Sequence, residues 1–220
     1  MRALLLALIV GLLAACGSVT ATAQNTATAP TATSVPTATS GAIATTSAST
    51  STNATVAAAS CASPATALTE LTEGPYYKAN PPQRSTITAT GVAGTPFVLT
   101  GFVLTKSCAP LANARVDFWQ ADGKGNYDNA GYTLRGWQLT DANGAYRLET
   151  VIPGLYPGRT EHIHVKVTPA GGQTYTTQLF FPGVSQNSND SIYAANMLIN
   201  LSSASATPRT GTFNFIVNLG

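Results

Sequence analysis

The chain has 220 residues, enough for one substantial domain with appendages. Its formal net charge is +2 and only 9% of its residues are charged, which excludes a strongly basic surface and predicts no nucleic-acid partner. All nine carboxylates lie from Glu70 onward, and no charged residue stands between Arg2 and Glu70. This asymmetry separates an N-terminal appendage from a folded body.

Residues 1–15 have the pattern of a signal peptide, with Arg2 followed by an apolar run and small residues. The run is too short to span a bilayer. The sequence LAAC, which ends at Cys16, resembles the lipobox of bacterial lipoproteins and implies lipid attachment to the Cys16 thiol. We therefore expect an extracytoplasmic, membrane-anchored lipoprotein, at the cell surface or in the periplasm. The alternative is an ordinary signal peptide with an incidental cysteine.

Residues 16–60 consist almost wholly of Thr, Ala, Ser, Pro and Val, and they contain no charged or aromatic residue. Such a segment cannot bury enough apolar surface to offset the entropy lost on ordering. We predict a disordered linker here, which leaves residues 61–220 as the folded domain.

The two other cysteines of the chain are Cys61 and Cys108. An even pair in an exported chain predicts a disulfide, here between the start of the domain and a turn. Two free thiols are the alternative.

The domain alternates turn signals with short runs rich in Val, Thr, Phe, Tyr and Leu. This pattern predicts an all-β fold, an antiparallel β-sandwich of about seven to eight strands. Only the stretch around 191–201 has helical character. The candidate strands are residues 97–104, 114–121, 134–140, 145–151, 162–168, 174–181 and 212–219.

The chain has two histidines, His162 and His164, on one candidate strand. Side chains at i and i+2 of a strand share a face, so the two imidazoles can converge on one metal ion. Ile163, Val165 and Val167 would then point into the core, with the histidines on the outward face. A polar surface pair without a ligand is the alternative.

Two loops add further candidate ligands. Tyr127 lies in a glycine-rich loop, while Tyr156 and Arg159 lie in the PGLYPGR loop just before the histidines. Phenolate oxygens are hard donors that suit a ferric ion, and an arginine supplies a permanent positive charge. We interpret Trp119 as a packing residue and Arg135 as part of a charge pair on a strand.

Five segments, in order, resemble the intradiol ring-cleavage dioxygenases, the group that contains protocatechuate 3,4-dioxygenase and catechol 1,2-dioxygenase. One of these segments, residues 153–167, carries a tyrosine, an arginine and both histidines at the family's spacing. The segments are TEGPYY (72–77), PLANARVDFWQADGKGNYD (110–128), LRGWQLTDANGAY (134–146), PGLYPGRTEHIHVKV (153–167) and TTQLFFPG (176–183).

The resemblance implies a non-haem Fe(III) cofactor and no organic cofactor. The implied metal ligands are Tyr127, Tyr156, His162 and His164. Tyr156 would be the ligand that leaves when substrate binds.

The resemblance also implies the substrate side of the site. Arg159 and Gln178 would be catalytic and would contact substrate, and Tyr76 and Tyr77 would lie near its entrance. The implied reaction cleaves a catechol-type ring between its two hydroxylated carbons with O2 and gives a muconate-type diacid. The resemblance indicates neither which catechol derivative is the substrate nor the oligomeric state.

Two other functions compete with this hypothesis. A non-catalytic, prealbumin-like β-sandwich could display a binding surface on the cell, but it would not require the two tyrosines and two histidines together. A cupin also uses a His-x-His pair on a strand, but it normally adds a glutamate and a further histidine, and this chain has no third histidine.

Overall fold

Nine strands make up the β-structure in the computed structural model, which describes residues 61–202 and 205–219. They form two sheets, of strand order β4-β1-β8-β7, with β9 also paired to β1, and β3-β2-β5-β6. The strands are β1 Pro96–Thr105, β2 Arg115–Trp119, β3 Arg135–Leu139, β4 Ala145–Val151, β5 His162–Thr168, β6 Tyr175–Phe180, β7 Asn200–Leu201, β8 Arg209–Thr212 and β9 Phe215–Val217.

The core lies between the two sheets. Leu99 of β1 pairs with Leu148 of β4, and Val116 of β2 pairs with Val167 of β5, all of them fully buried. Val165 joins them in the same core cluster. These apolar residues recur at every second position of a strand, as one face of a sheet requires. The predicted all-β sandwich is confirmed.

The predicted last strand, 212–219, is divided in the structure. β8 and β9 both run parallel to β1, so this sheet is mixed rather than antiparallel throughout. At the break, Phe213 N–H donates to Thr100 O (3.0 Å) and the Asn214 side chain accepts from Phe102 N–H (3.1 Å). Gly101 permits the contact, because a Cβ there would lie 1.7 Å from Phe213 O.

The stretch around 191–201 is mostly not helical. It contains one 3-10 helix, Ala195–Met197, followed by β7. Ile199 N–H donates to Phe180 O (2.9 Å). Because this bond holds the chain in an extended conformation beside the end of β6, the helix does not continue. A second 3-10 helix covers Ser185–Asn189.

Residues 61–78, which we call the strap, cross the domain before the first strand. A disulfide between Cys61 and Cys108 fixes one end, with an S–S distance of 2.04 Å and a Cα–Cα distance of 5.8 Å. Backbone hydrogen bonds then tie the strap to both sheets. They join Ala65 N–H to Lys106 O, Leu68 N–H to Ile216 O and Leu71 N–H to Thr176 O.

In the part of the chain that the structure describes, no helix is long and apolar enough to cross a membrane. The signal peptide, the lipidated Cys16 and the linker predicted for residues 1–60 lie outside the described residues, and they stay predictions.

Candidate metal centre

The register of four neighbouring strands aligns a row of buried side chains. Trp119 of β2 is paired with Arg135 of β3 on one side and with His164 of β5 on the other. His164 is paired in turn with Gln178 of β6. Each of the four is at most 2% exposed. Because directly opposed residues share a face of the sheet, the row brings His164 and Gln178 together, and His162 lies on the same face.

The strap covers this face. Thr72 O accepts a hydrogen bond from the Gln178 amide (2.8 Å), and the Tyr77 ring packs edge-on against Trp119 at 4.9 Å between centroids. Gly74, at φ +72°, lies so close that a Cβ there would be 3.1 Å from His164 Cε1. The expected alternation is therefore confirmed, but the face opposite the core is buried, and the histidines are not a polar surface pair.

The two imidazoles face each other through one nitrogen each. His162 Nε2 and His164 Nε2 are 3.0 Å apart, and His162 Nδ1 donates to Thr160 O at 2.6 Å. Burial lowers the pKa of His162 to about 4 and the pKa of His164 well below its ordinary value. Both rings are thus neutral near pH 7, and neutral imidazole nitrogens are metal ligands.

The two tyrosine hydroxyls complete the cluster. Among residues 61–202 and 205–219, the buried Tyr127 hydroxyl has no hydrogen-bond partner, whereas the Tyr156 hydroxyl accepts from Arg159 Nη1 at 3.1 Å. Ring centroids lie 5.7 Å apart between Tyr127 and Tyr156, 5.5 Å between Tyr156 and His162, and 6.2 Å between Tyr127 and His164. All four rings therefore surround one small volume.

Burial raises the pKa of both Tyr127 and Tyr156. A buried, unpartnered hydroxyl is also unfavourable by itself. A bound cation reverses both effects, because it favours the phenolate and takes up its oxygen lone pairs. The unpartnered oxygen of Tyr127 therefore fits a metal ligand better than a packing residue.

Glycines hold the two tyrosine loops against each other. A Cβ on Gly125 would lie 2.0 Å from Leu155 O, and a Cβ on Gly154 would lie 2.5 Å from Gly123 O. The backbones are in direct contact at both points, which only glycine permits. This contact sets the spacing between the two phenol rings.

Arg159 is fixed through all of its side-chain nitrogens. Nε donates to Asp190 (2.9 Å), Nη1 donates to the Tyr156 hydroxyl, and Nη2 donates to Gln178 Oε1. Arg159 and Gln178 thus lie together beside the cluster, as the sequence predicts.

Sequence reasoning missed Asp190, which follows the 3-10 helix Ser185–Asn189 and belongs to none of the five segments. The residue is 6% exposed, and its carboxylate accepts from Thr160 N–H as well as from Arg159. Burial raises the pKa of Asp190, but the hydrogen bonds from Thr160, Ile192 and Arg159 outweigh burial and lower it. The carboxylate is therefore ionised.

The structure separates the two strap tyrosines. Tyr76 stacks on Tyr127 with ring centroids 4.2 Å apart and contacts Tyr156 edge-on at 5.9 Å. Tyr77 lies away from these rings, between Trp119 and the Lys166 ammonium, which is 3.7 Å from its ring centroid. Of the two strap tyrosines, Tyr76 is therefore the one that contacts the tyrosine rings of the cluster.

Two further interpretations are settled by contacts. Trp119 is a packing residue, stacked on His164 with centroids 4.9 Å apart. The predicted charge pair at Arg135 is wrong, because its guanidinium donates to the main-chain carbonyls of Tyr76 and Asp128.

In the described residues, no group of three or more His, Cys, Asp or Glu side chains could hold a metal ion. The candidate donors that converge here are the two tyrosine oxygens and the two imidazoles. Two phenol oxygens and two neutral imidazoles form a donor set that suits non-haem ferric iron.

Comparison with known proteins finds relatives among the dioxygenases. The sequence model of a family described as dioxygenase matches residues 72–218. The catechol 1,2-dioxygenase of Acinetobacter baylyi is 28% identical over 151 residues, which cover 56% of this chain and 49% of that protein. The protocatechuate 3,4-dioxygenase beta chain of Burkholderia cepacia is 33% identical over 108 residues, which cover 41% and 46%. The chain spans about half the length of these curated relatives.

Solved structures show the same fold. The dioxygenase domain of a dioxygenase and carbohydrate-binding protein fusion from Streptomyces sp. SirexAA-E is 41% identical, with a TM-score of 0.68 over 70% of this chain and 100% of that chain. An intradiol ring-cleavage dioxygenase from Tetranychus urticae is 27% identical, with a TM-score of 0.62 over 68% of this chain and 92% of that chain. The chain belongs to the intradiol ring-cleavage dioxygenase family.

Proposed function

We propose that this chain is a non-haem Fe(III)-dependent intradiol dioxygenase. It cleaves a catechol-type ring between the two hydroxylated carbons with O2 and forms a muconate-type diacid. The observation that carries the proposal is the convergence of two neutral imidazoles with two phenols, one of which has a buried, unpartnered hydroxyl. Relatives named catechol, protocatechuate and hydroxyquinol dioxygenases support it.

Tyr127, Tyr156, His162 and His164 would hold the ferric ion. When bound, the ion supplies a Lewis acid for the two catechol oxygens and a redox centre for the reaction with O2. The two phenolates would offset two of its three positive charges, while the neutral imidazoles add no charge.

The protein residues around this position would orient the substrate and move its protons. Tyr156 is half-buried, unlike the histidines, so its phenolate can accept a proton from an incoming catechol hydroxyl. The Arg159 guanidinium, held by Asp190, stabilises negative charge that develops on the substrate. Gln178 is fixed between Arg159 and Thr72 O and presents a rigid polar edge.

A non-catalytic binding module gives no reason for these features. Such a module needs neither a buried hydroxyl without a partner at Tyr127 nor an ion pair between Arg159 and Asp190 beside it. The alternative therefore has no observation in its favour.

Incubation of the iron-loaded chain with catechol under 18O2 tests the proposal. We expect a ring-opened diacid that carries both oxygen atoms, identified by mass spectrometry. Tyr127→Phe should abolish the activity, whereas Tyr132→Phe is the matched control, because the Tyr132 hydroxyl bonds Ala79 O away from the cluster. An iron-loaded wild-type chain that leaves every tested catechol intact would refute the proposal.

We also propose that the chain is exported and anchored by a lipid on Cys16, as the lipobox resemblance implies. Mass spectrometry of the chain purified from membranes should find a mature N-terminus at Cys16 with added acyl mass. A mature chain with an unmodified Cys16 thiol would overturn the anchor.

A further inference from the structure

Arg135, the first residue of β3, has a buried guanidinium directed at the Tyr127 loop. Its side chain is 2% exposed. Nη1 donates to Tyr76 O, while Nε and Nη2 donate to Asp128 O at 3.2 and 3.1 Å. Tyr76 stacks on Tyr127 and Asp128 follows it in sequence, so one side chain holds both backbones that flank the Tyr127 ring.

Among the described residues, Arg135 forms no ion pair, and the Asp128 carboxylate attracts its charge without direct contact. The carboxylate of neighbouring Asp128 accepts instead from the N–H groups of Gly131 (2.6 Å) and Thr133 (2.9 Å). Burying an unpaired cation is unfavourable, so a merely structural role does not explain why this position carries a charge.

Tyr127 is the group that gains from this charge. The Arg135 guanidinium lies 5.9 Å from the centroid of the Tyr127 ring, within the range over which a cation interacts with an aromatic ring. Arg159, the other cation at the cluster, forms an ion pair with Asp190.

We propose that Arg135 is a positioning residue for Tyr127, which holds its loop and places a positive charge beside the ring that binds the ferric ion. The inference rests on the proposed function, because it assigns Tyr127 as an iron ligand. It adds that a residue outside the four proposed metal ligands changes the energy of the charge-transfer band and the affinity for iron.

Arg84 offers a matched control. Its guanidinium also donates to main-chain carbonyls of this region, those of Tyr132 and Arg135, but it makes no ring contact with Tyr127. Removal of Arg84 should therefore weaken the same segment of the protein without changing the charge next to Tyr127.

The test compares wild type, Arg135→Gln, Arg135→Lys and Arg84→Gln as iron-loaded full chains. The visible tyrosinate-to-iron charge-transfer band and the iron affinity against a chelator are measured. Arg135→Gln should shift the band to longer wavelength, because the phenolate electrons lose a stabilising charge. It should also lower iron affinity about 10–100-fold, as loss of a group that supports a ligand typically does.

Arg135→Lys keeps the charge but loses the planar arrangement of donors, so its band should stay near that of wild type even if its stability falls. Arg84→Gln should leave the band in place. An unshifted band in Arg135→Gln, or an equal shift in Arg135→Lys or Arg84→Gln, would overturn the role of Arg135. If Arg135→Gln does not fold, the band of Arg135→Lys decides. A wild-type chain that binds no iron instead refutes the proposed function, and this inference with it.

Discussion

Asp190 connects Arg159 with His162 through the backbone of Thr160. Its carboxylate accepts from the Arg159 guanidinium and from Thr160 N–H. Thr160 O in turn accepts from His162 Nδ1, which directs the Nε2 lone pair of His162 toward His164. A single buried carboxylate therefore orients both Arg159 and, through Thr160, the proposed imidazole ligand His162.

The variant Asp190→Asn tests this link. We expect kcat/KM for catechol to fall about 10–100-fold, because an amide cannot supply the charged acceptor that Arg159 and Thr160 share. The matched control is Asn187→Ala, since the Asn187 side chain accepts from the Thr160 hydroxyl and donates to Phe181 O, and in the described part of the chain it forms no hydrogen bond with Arg159. Equal losses in the two variants, or none in Asp190→Asn, would contradict the account.

Among the structural elements, the strap has a role in the site as well as in the fold. It supplies Tyr76 to the tyrosine cluster, and Gly74 to the surface of His164. Its carbonyl at Thr72 fixes Gln178. The strap therefore helps to bury the row of side chains on β3, β2, β5 and β6.

Gly74→Ala tests the contact between the strap and His164. Gly74 has φ +72° and lies against the imidazole, whereas Gly91 has φ +85° with open space around it. Both alanine variants should lose about 1–2 kcal/mol of stability from backbone strain, measured by urea unfolding. Only Gly74→Ala should also alter the charge-transfer band, because only there does the new methyl group press on a ligand. A band shift in Gly91→Ala, or none in Gly74→Ala, would contradict the assignment.

The disulfide anchors the strap, and it closes a sequence separation of 47 residues. Replacing both Cys61 and Cys108 with Ser should lower the free energy of unfolding by about 2–5 kcal/mol, because the unfolded chain regains freedom. A reductant should lower the stability of wild type to that of the variant and leave the variant unchanged. A reductant-insensitive wild type would indicate that the bond contributes nothing.

For the molecule as a whole, the sequence predicts the features that depend on residues close together in the chain. Turn signals and alternating apolar residues located most of the strands, and the His-x-His pair located the ligand face of β5. Long-range pairing explains what was missed. The division of 212–219 depends on contact with Gly101, and Asp190 meets Arg159 across 31 residues. Arg135 looks like an ordinary strand residue until its partner Tyr76, 59 residues away, is placed.

The visible absorption spectrum of the purified wild-type chain, recorded before and after anaerobic addition of catechol, tests the central claim most directly. Two phenolates on ferric iron predict a coloured protein with a tyrosinate-to-iron charge-transfer band, which changes when catechol binds next to Tyr156. A colourless protein that holds zinc, or a coloured one whose spectrum ignores catechol, would contradict the assignment of Tyr127, Tyr156, His162 and His164 as a ferric catechol site.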